Sequence, residues 1–226
     1  MRAKVLYVLT LLAGALLWGC TTDAYDKGEG EYSLMQADFV EAHANSSKEI
    51  DYVFTDNDER MTLSQPAARN WVKTPDSLYR AVLYYKKAEQ TVDVVSLAQV
   101  SVASIVRTDS LEKKTKEKVK TDPLTLESMW LSKNKHYLNA GFYIKVGATD
   151  NDKAIHRIGV VSDTLMTNGD GTKTYHLRLY HDQGGVPAYY SQHSYFSLPI
   201  QDMKADSIRF TVNTYKGEVV RMFKIK

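Results

Sequence analysis

The sequence predicts an all-β protein in two parts, and three observations carry that expectation. Fifteen tyrosines, with frequent valine and threonine, favour strands over helices. Short apolar runs are separated at close intervals by asparagine, aspartate, glycine and proline, the residues that turns require. Beyond the N-terminal segment no stretch repeats apolar residues with a helical period over a useful length. A parallel sheet covered by crossover helices is therefore not expected.

The first part is read over residues 32–108. Its runs are Leu34 to Val40, Ile50 to Phe54, Met61 to Leu63, Leu78 to Tyr85 and Val92 to Val106. Turn residues bound them at Asn45-Ser46-Ser47, Asp56-Asn57-Asp58, Pro66 and Pro75. Five short strands in so few residues suit a small closed or half-closed barrel of the OB type. The last run has mixed periodicity around Ser96 to Gln99, which predicts a bend or a passage between sheets.

Residues 109–122 hold Glu112, Lys113, Lys114, Lys116, Glu117, Lys118 and Lys120, with Leu111 and Val119 as the apolar content. Such a run contacts acidic lipid or glycan in some proteins. The interleaved glutamates and the lack of aromatics favour a solvated linker or hairpin tip, and the domain boundary is placed here.

The second part, residues 123–226, alternates more clearly. Tyr175, Leu177 and Leu179 share one face of a strand, with His176, Arg178 and Tyr180 on the other. Ile208, Phe210 and Val212 alternate with Arg209, Thr211 and Asn213, and Phe223 and Ile225 with Lys224. Hairpin turns fit at Asn168-Gly169-Asp170-Gly171 and at Lys216-Gly217. With Leu124 to Leu131, Tyr137 to Val146, Ala154 to Asp163 and Tyr189 to Ile200, about seven strands result, which predicts an antiparallel β-sandwich.

Residues 1–19 read as a leader. Arg2 and Lys4 give a positive start, Val5 to Trp18 are mostly apolar, and the chain's one cysteine, Cys20, follows at the point of cleavage. The apolar run is shorter than the roughly 20 residues that span a bilayer as a helix. A lone cysteine makes no internal disulfide, so its place at the end of the leader is best explained as the site of lipid attachment, in preference to an ordinary leader with a stray cysteine. Residues 20–31, with Asp23, Asp26, Glu29 and Glu31, bury too little to order themselves and read as a flexible tether. The expected location is the outer membrane, on its cell surface or periplasmic face.

Removal of the leader takes away Arg2 and Lys4, so 29 basic residues become 29 − 2 = 27 against 27 acidic ones. A neutral chain gives no reason to expect nucleic acid as a partner. The expected partners are the membrane, through the lipid on Cys20, and another envelope protein or a glycan.

The runs Tyr32-Ser33-Leu34-Met35-Gln36-Ala37-Asp38-Phe39-Val40-Glu41-Ala42 and Thr55-Asp56 resemble the N-terminal domain of the NigD-like proteins. Trp130-Leu131, Tyr137-Leu138-Asn139, His181-Asp182-Gln183-Gly184-Gly185-Val186-Pro187-Ala188-Tyr189-Tyr190-Ser191, Phe196-Ser197-Leu198-Pro199 and Asn213-Thr214-Tyr215-Lys216-Gly217 resemble their C-terminal domain. The chain departs from the family at Asn57-Asp58-Glu59-Arg60, where relatives often carry a glycine. The resemblance implies an OB-like domain followed by a β-sandwich, and a role in immunity to a bacteriocin. It supplies no catalytic residues.

Several groups are weighed as sites. On an OB-type barrel, exposed aromatics often bind oligosaccharide or peptide, which singles out Trp71, Tyr79, Tyr84 and Tyr85. Adjacent in a strand, Tyr84 and Tyr85 point to opposite sides, one into the core and one outward. His181-Asp182, with His193 and the nearby Tyr189 and Tyr190, is the most suggestive second patch. Two imidazoles and a carboxylate could ligate zinc, but a Gly-Gly turn follows, where aspartate bonds its own backbone, so no metal is assigned. The acidic loops Asp56-Asn57-Asp58-Glu59, Asp150-Asn151-Asp152 and Asn168-Gly169-Asp170 lack the spacing of an EF-type loop and are explained by turn chemistry. No Gly-x-Ser-x-Gly elbow or phosphate-cradling glycine loop is present. Carboxylate pairs for glycoside cleavage are set by tertiary structure, and none stands out. The expectation is a non-catalytic, lipid-anchored binding protein without a cofactor; the alternatives are an immunity protein and a glycan-active enzyme.

Overall fold

The computed structural model describes residues 34–226. The leader, Cys20 and the tether lie outside the described residues. Residues Gln36–Lys226 form one compact unit holding a barrel and a sandwich.

The barrel is a closed cylinder of five strands in the order β1-β2-β3-β5-β4. They are β1 (Gln36–Ala44), β2 (Glu49–Thr55), β3 (Arg60–Ala68), β4 (Ser77–Lys87) and β5 (Val92–Gln99). Closure comes from β1 pairing antiparallel with β4 and from a short parallel contact of Leu63 on β3 with Val92 on β5. Alternate residues point inward: Val40, Ala42 and Ala44 from β1, and Ala81, Leu83 and Tyr85 from β4. The alanines leave room in the narrow interior for the larger Leu83 and Tyr85. At the β2–β3 turn, Thr55 Oγ1 accepts from the Asn57 and Glu59 N–H groups, while Asp58 takes φ of 62°. An aspartate tolerates that conformation more readily than most side chains other than glycine.

The remaining strands are β6 (Ser101–Val102), β7 (Ile105–Arg107), β8 (Thr125–Leu131), β9 (Tyr137–Val146), β10 (Arg157–Thr167), β11 (Lys173–Asp182), β12 (Tyr190–Pro199), β13 (Ser207–Thr214) and β14 (Gly217–Lys224). They make a five-stranded sheet, β14-β13-β11-β10-β7, and a four-stranded sheet, β6-β12-β9-β8. Between them lie Leu138, Ala140, Phe142 and Ile144 of β9, Leu177 and Leu179 of β11, and Ile208, Phe210 and Val212 of β13. Phe196 of β12 meets Phe142 and Phe210, with ring centres 5.9 and 6.3 Å away. The odd face of β11 and the even face of β13 are buried as the alternation predicts.

Three expectations need correction. The run from Val92 to Val106 is not one strand. It leaves the barrel at buried Val100 and crosses the side of the sandwich, adding β6 to one sheet and β7 to the other, so the sandwich begins before residue 109. The sandwich is also not wholly antiparallel: β6–β12, β7–β10 and β11–β13 pair in parallel. The crossover that a parallel pair needs is supplied by a strand of the opposite sheet, since β11 returns as β13 by way of β12. Lastly, Thr108–Thr115, which lies in the expected linker from its second residue on, is a helix, α1. Lysine, glutamate and leucine are good helix formers, Asp109 and Lys113-Lys114 complement the dipole at its two ends, and Lys116 closes it in the left-handed conformation with φ of 59°. It buries no residue, so its apolar period is too weak to read.

Candidate functional site

The barrel seats one end of its wall on the outer face of the four-stranded sheet. Along β9, residues 138, 140, 142 and 144 fill the core, so Tyr137, Asn139, Gly141 and Tyr143 point outward. β12 presents Ser197, Tyr195 and His193 in register with Asn139, Gly141 and Tyr143. On the barrel, Phe39 and Glu41 of β1 lie opposite Val82 and Arg80 of β4. That patch covers Asn139, Ser197, Tyr137, Trp130 and part of Tyr195.

Arg80 is the centre of the covered half, its side chain 1% exposed. Nε donates to Ser197 Oγ at 3.0 Å, and Nη2 donates to Asp56 Oδ2 at 2.8 Å and Asn139 Oδ1 at 3.2 Å. Nη1 is 2.7 Å from Asp56 Oδ1, a charge contact without hydrogen-bond alignment. Asn139 and Ser197 are themselves fully buried; Ser197 Oγ donates to Asn139 Oδ1, and Asn139 Nδ2 donates to Asp56 Oδ2. The guanidinium also lies 4.1 Å from the centre of the Tyr137 ring. The Tyr137 hydroxyl donates to Glu41, and burial, followed by that carboxylate, pushes its pKa up. Phe39 meets Trp130 and Tyr195 edge to face, each at 5.2 Å. The aspartate turn thus serves as a docking element, with Asn134 Nδ2 donating to Asp58 and the Asn134 N–H to the Asp56 carbonyl.

Beyond the barrel the same face is open. Tyr143 and His193 stack with ring centres 4.5 Å apart, and Tyr195 is tilted against His193 at the same distance. Glu127, at a bulge in β8, lies 2.8 Å from His193 Nε2 and accepts from the Tyr143 hydroxyl at 3.2 Å. The charge of Glu127, then its hydrogen bond, raises the Tyr143 pKa. Gly141 makes this arrangement possible. A Cβ there would stand 2.8 Å from Glu127 Oε2 and 3.0 Å from Tyr195 Cε1, so both side chains lie across a strip of bare backbone. Tyr84 comes from the barrel side, close enough for its hydroxyl to contribute to the upward shift of Tyr195, whose main cause is burial. The result is a corner beside the barrel with an aromatic floor, one carboxylate and one imidazole.

The structure separates the residues that the sequence singles out. Tyr84 faces outward beside this corner. Its neighbour Tyr85 is 1% exposed, donates its hydroxyl toward Asp38 or Gln36, and has its pKa raised by burial first and Asp38 next. It presents no surface to a ligand. Trp71 and Tyr79 pack edge to face at 5.6 Å against the barrel core, and the Tyr79 oxygen accepts from the Lys73 and Thr74 N–H groups, the latter bond lowering its pKa most. They hold a loop and do not join Tyr84 on one face. His181 is 1% exposed, inside the structure rather than at an edge, and lies against His156. Tyr189 and Tyr190 are 76% and 60% exposed. Among the described residues, histidine, cysteine, aspartate and glutamate nowhere gather in threes around a point that could hold a metal. Of the acidic loops, Asp56 is committed to Arg80, Asn151 Oδ1 accepts from the Lys153 N–H, and Asp170 is held below the usual carboxylate range by Thr172.

Sequence reasoning missed Phe39, Arg80, Glu127, Trp130, Asn139, Gly141 and Ser197 as a set. One signal was available: Ala81-Val82-Leu83-Tyr84-Tyr85 is a continuous apolar run, which puts Val82 and Tyr84 on the face of β4 opposite to Ala81, Leu83 and Tyr85. A strand apolar on both faces needs a second partner.

A barrel of OB connectivity joined to a mixed β-sandwich, with an aromatic corner between them, defines a two-domain, all-β module; its family comes from the sequence. The NigD-like C-terminal beta sandwich domain matches residues 105–225, more than half of the chain, and the chain belongs to the NigD-like family. Among solved structures, a NigD-like immunity protein from Bacteroides caccae is similar at 22% identity and a TM-score of 0.63, over 83% of this chain and 91% of that one. A putative toxin-related protein from Parabacteroides distasonis follows at 15% and 0.62, over 84% and 92%. A protein of unknown function from Bacteroides vulgatus follows at 16% and 0.61, over 84% and 90%. At these identities the likeness is one of fold. No curated protein matched the sequence.

Proposed function

We propose that the chain is a non-catalytic binding protein, held on the bacterial outer membrane by lipid on Cys20, that takes a protein or glycan partner in the corner between barrel and sandwich. The observation that carries this reading is the uncovered half of the sheet face, where Tyr195, His193 and Tyr143 form a continuous aromatic surface around Gly141. Aromatic side chains offer large contact area at low entropic cost, and a carboxylate and an imidazole beside them give direction to polar contacts. A photo-crosslinking residue at Thr125, the exposed register partner of Tyr143, is expected in intact cells to capture a partner that the same residue at Leu165, on the other sheet, does not. Equal capture from both positions would count against the corner. Replacing Cys20 by serine is expected to move the protein to the soluble fraction, and continued membrane retention would refute the anchor.

A second reading, immunity to a bacteriocin, is favoured by the name of the similar structure from Bacteroides caccae. Deletion of the gene is then expected to raise sensitivity to the co-encoded bacteriocin, and unchanged sensitivity would remove this reading.

A further inference from the structure

At the far end of the sandwich, His156 precedes β10 and His181 stands near the end of β11. Each ring has one nitrogen committed to a backbone carbonyl. His156 Nε2 is 2.9 Å from the Lys145 oxygen, and His181 Nδ1 is 2.9 Å from the Asp122 oxygen. A carbonyl oxygen only accepts, so both of these nitrogens carry protons. The other two nitrogens, His156 Nδ1 and His181 Nε2, face each other at 3.1 Å. With one proton per ring, two lone pairs would meet at that distance.

The ring geometry tells what lies between them. The ring centres are 5.3 Å apart and the planes differ by 16°. That separation equals the N···N distance plus one ring radius at each end, so the imidazoles meet end to end and nearly coplanar rather than face to face. Their lone pairs are collinear, the arrangement of an N–H···N hydrogen bond. Tetrahedral zinc would need lone pairs converging from an angle, and further ligands that the described residues do not bring there.

We propose that His156 and His181 form a binding site for one proton, shared between Nδ1 and Nε2, and that this proton clasps the end of the sandwich shut. Three protons then serve the four ring nitrogens, every hydrogen bond is made, and the pair carries a single positive charge. The surroundings accommodate that charge. The Asp122 carboxylate accepts from the Gln183 N–H, and the Asp182 carboxylate accepts from the Gly184 N–H and pairs with Lys120 and Arg157. Lys120 is in turn shared with Glu117, and β9 contributes the Lys145 carbonyl. A second proton is resisted: burial first, and the charge on His156 as well, lower the His181 pKa against the opposing pull of the Asp122 carbonyl and the Asp122 and Asp182 charges.

The clasp adds to contacts that the segments already make, since Ile158, two residues after His156, is the register partner of His181. The stretch after α1 is tied to β11 by the Asp122 N–H to the His181 carbonyl and the His181 N–H to the Lys120 carbonyl. Gln183 Nε2 donates to the same Lys145 oxygen that His156 uses. His156 also lines a cavity of about 320 Å³ at the side of the sandwich, with Phe142, Phe196 and Gly159. Loss of the shared proton leaves two lone pairs in contact and releases His156 toward that cavity.

The test is a pH titration of the histidine ring nitrogens by NMR on the purified protein, over about pH 5 to 8, where imidazoles change charge. Expected is one far-downfield ring proton common to both residues, with His156 Nδ1 and His181 Nε2 at nitrogen shifts between the protonated and unprotonated extremes. Both signals should vanish together on the alkaline side. In His156→Gln, His181 should titrate without the shared resonance; the wild-type titration stands by itself if that variant does not fold. Independent titration of the two rings, or two neutral rings throughout the range, would overturn the proposal. So would a collapse of the paired signals on adding EDTA, which would make the occupant a metal.

Discussion

On the outer face of the four-stranded sheet, β9 and β12 carry Asn139 and Ser197 under the barrel, and four positions along, at Tyr143 and His193, the same strands stand open. The covered half is made of small neutral side chains that answer a buried arginine group by group. The open half is made of rings and a carboxylate that answer one another and leave their outer surfaces free. Strand, face and register are the same, so the difference lies in what covers them. A buried cation is tolerated only with its partners in place, whereas exposed aromatic and charged groups cost little whether or not anything binds. The covered half should therefore govern stability, and the open half, binding.

Arg80→Ala breaks the comparison most severely. It takes the guanidinium away from half-buried Asp56 and from buried Asn139 and Ser197, which keep only the bonds among themselves, and breaking a buried ion pair from one side costs about 3 to 5 kcal/mol. Urea denaturation is expected to show that loss. A loss below about 1 kcal/mol would mean that water replaces the guanidinium and that the junction is not a closed interior. Phe39→Ala comes next. Its ring is half-buried between Trp130 and Tyr195, so about 2 kcal/mol is expected, less than the 3 to 5 of a fully buried phenylalanine. The same denaturation series checks it.

Much of the fold was legible before the structure, and the reason is periodicity. A period of two in β11 and β13 states both the strand and its buried side, and Gly-containing turns state where the chain reverses. Tyr84 and Tyr85 could be sent to opposite sides by the same rule. What stayed hidden depends on partners distant in sequence. Arg80 meets Asn139 and Ser197 across 59 and 117 residues, and nothing local to any of them marks the others. Helix α1 was hidden for another reason: it buries nothing, and a solvated two-turn helix has the composition of a linker. Tyr85 and His181 look like ligand-binding residues by type, but packing decides whether an aromatic or a histidine is spent inside the protein, and packing is not written in spacing.

A smaller effect follows from the buried His181. With the proton shared with His156 in place, burial resists a further proton on His181, which the unfolded chain accepts freely. The stability tied to that further proton is lost as pH falls below the unfolded imidazole value of about 6.5. Urea midpoints are expected to decline from neutral toward mildly acid pH, and His181→Gln is expected to flatten part of that decline. An identical slope in the variant would show that other groups carry it.

The smallest change in stability, and the sharpest division between the two halves, is expected at His193. Its contact with Glu127 is short at 2.8 Å, but the two side chains are 32% and 41% exposed, and a solvent-screened pair of that kind contributes about 0 to 1 kcal/mol. Removing the imidazole uncovers one face of Tyr143 and leaves the Glu127 carboxylate with the Tyr143 hydroxyl. His193→Ala should therefore unfold within about 1 kcal/mol of wild type. Capture of a partner from position 125 should nevertheless fall, because the stack of Tyr143 and His193 that shapes the corner is gone. A variant that keeps both its stability and its capture would show that the open face is ordinary solvated sheet. One that loses several kcal/mol would show that the open half is structural too, and the comparison between the halves would no longer hold.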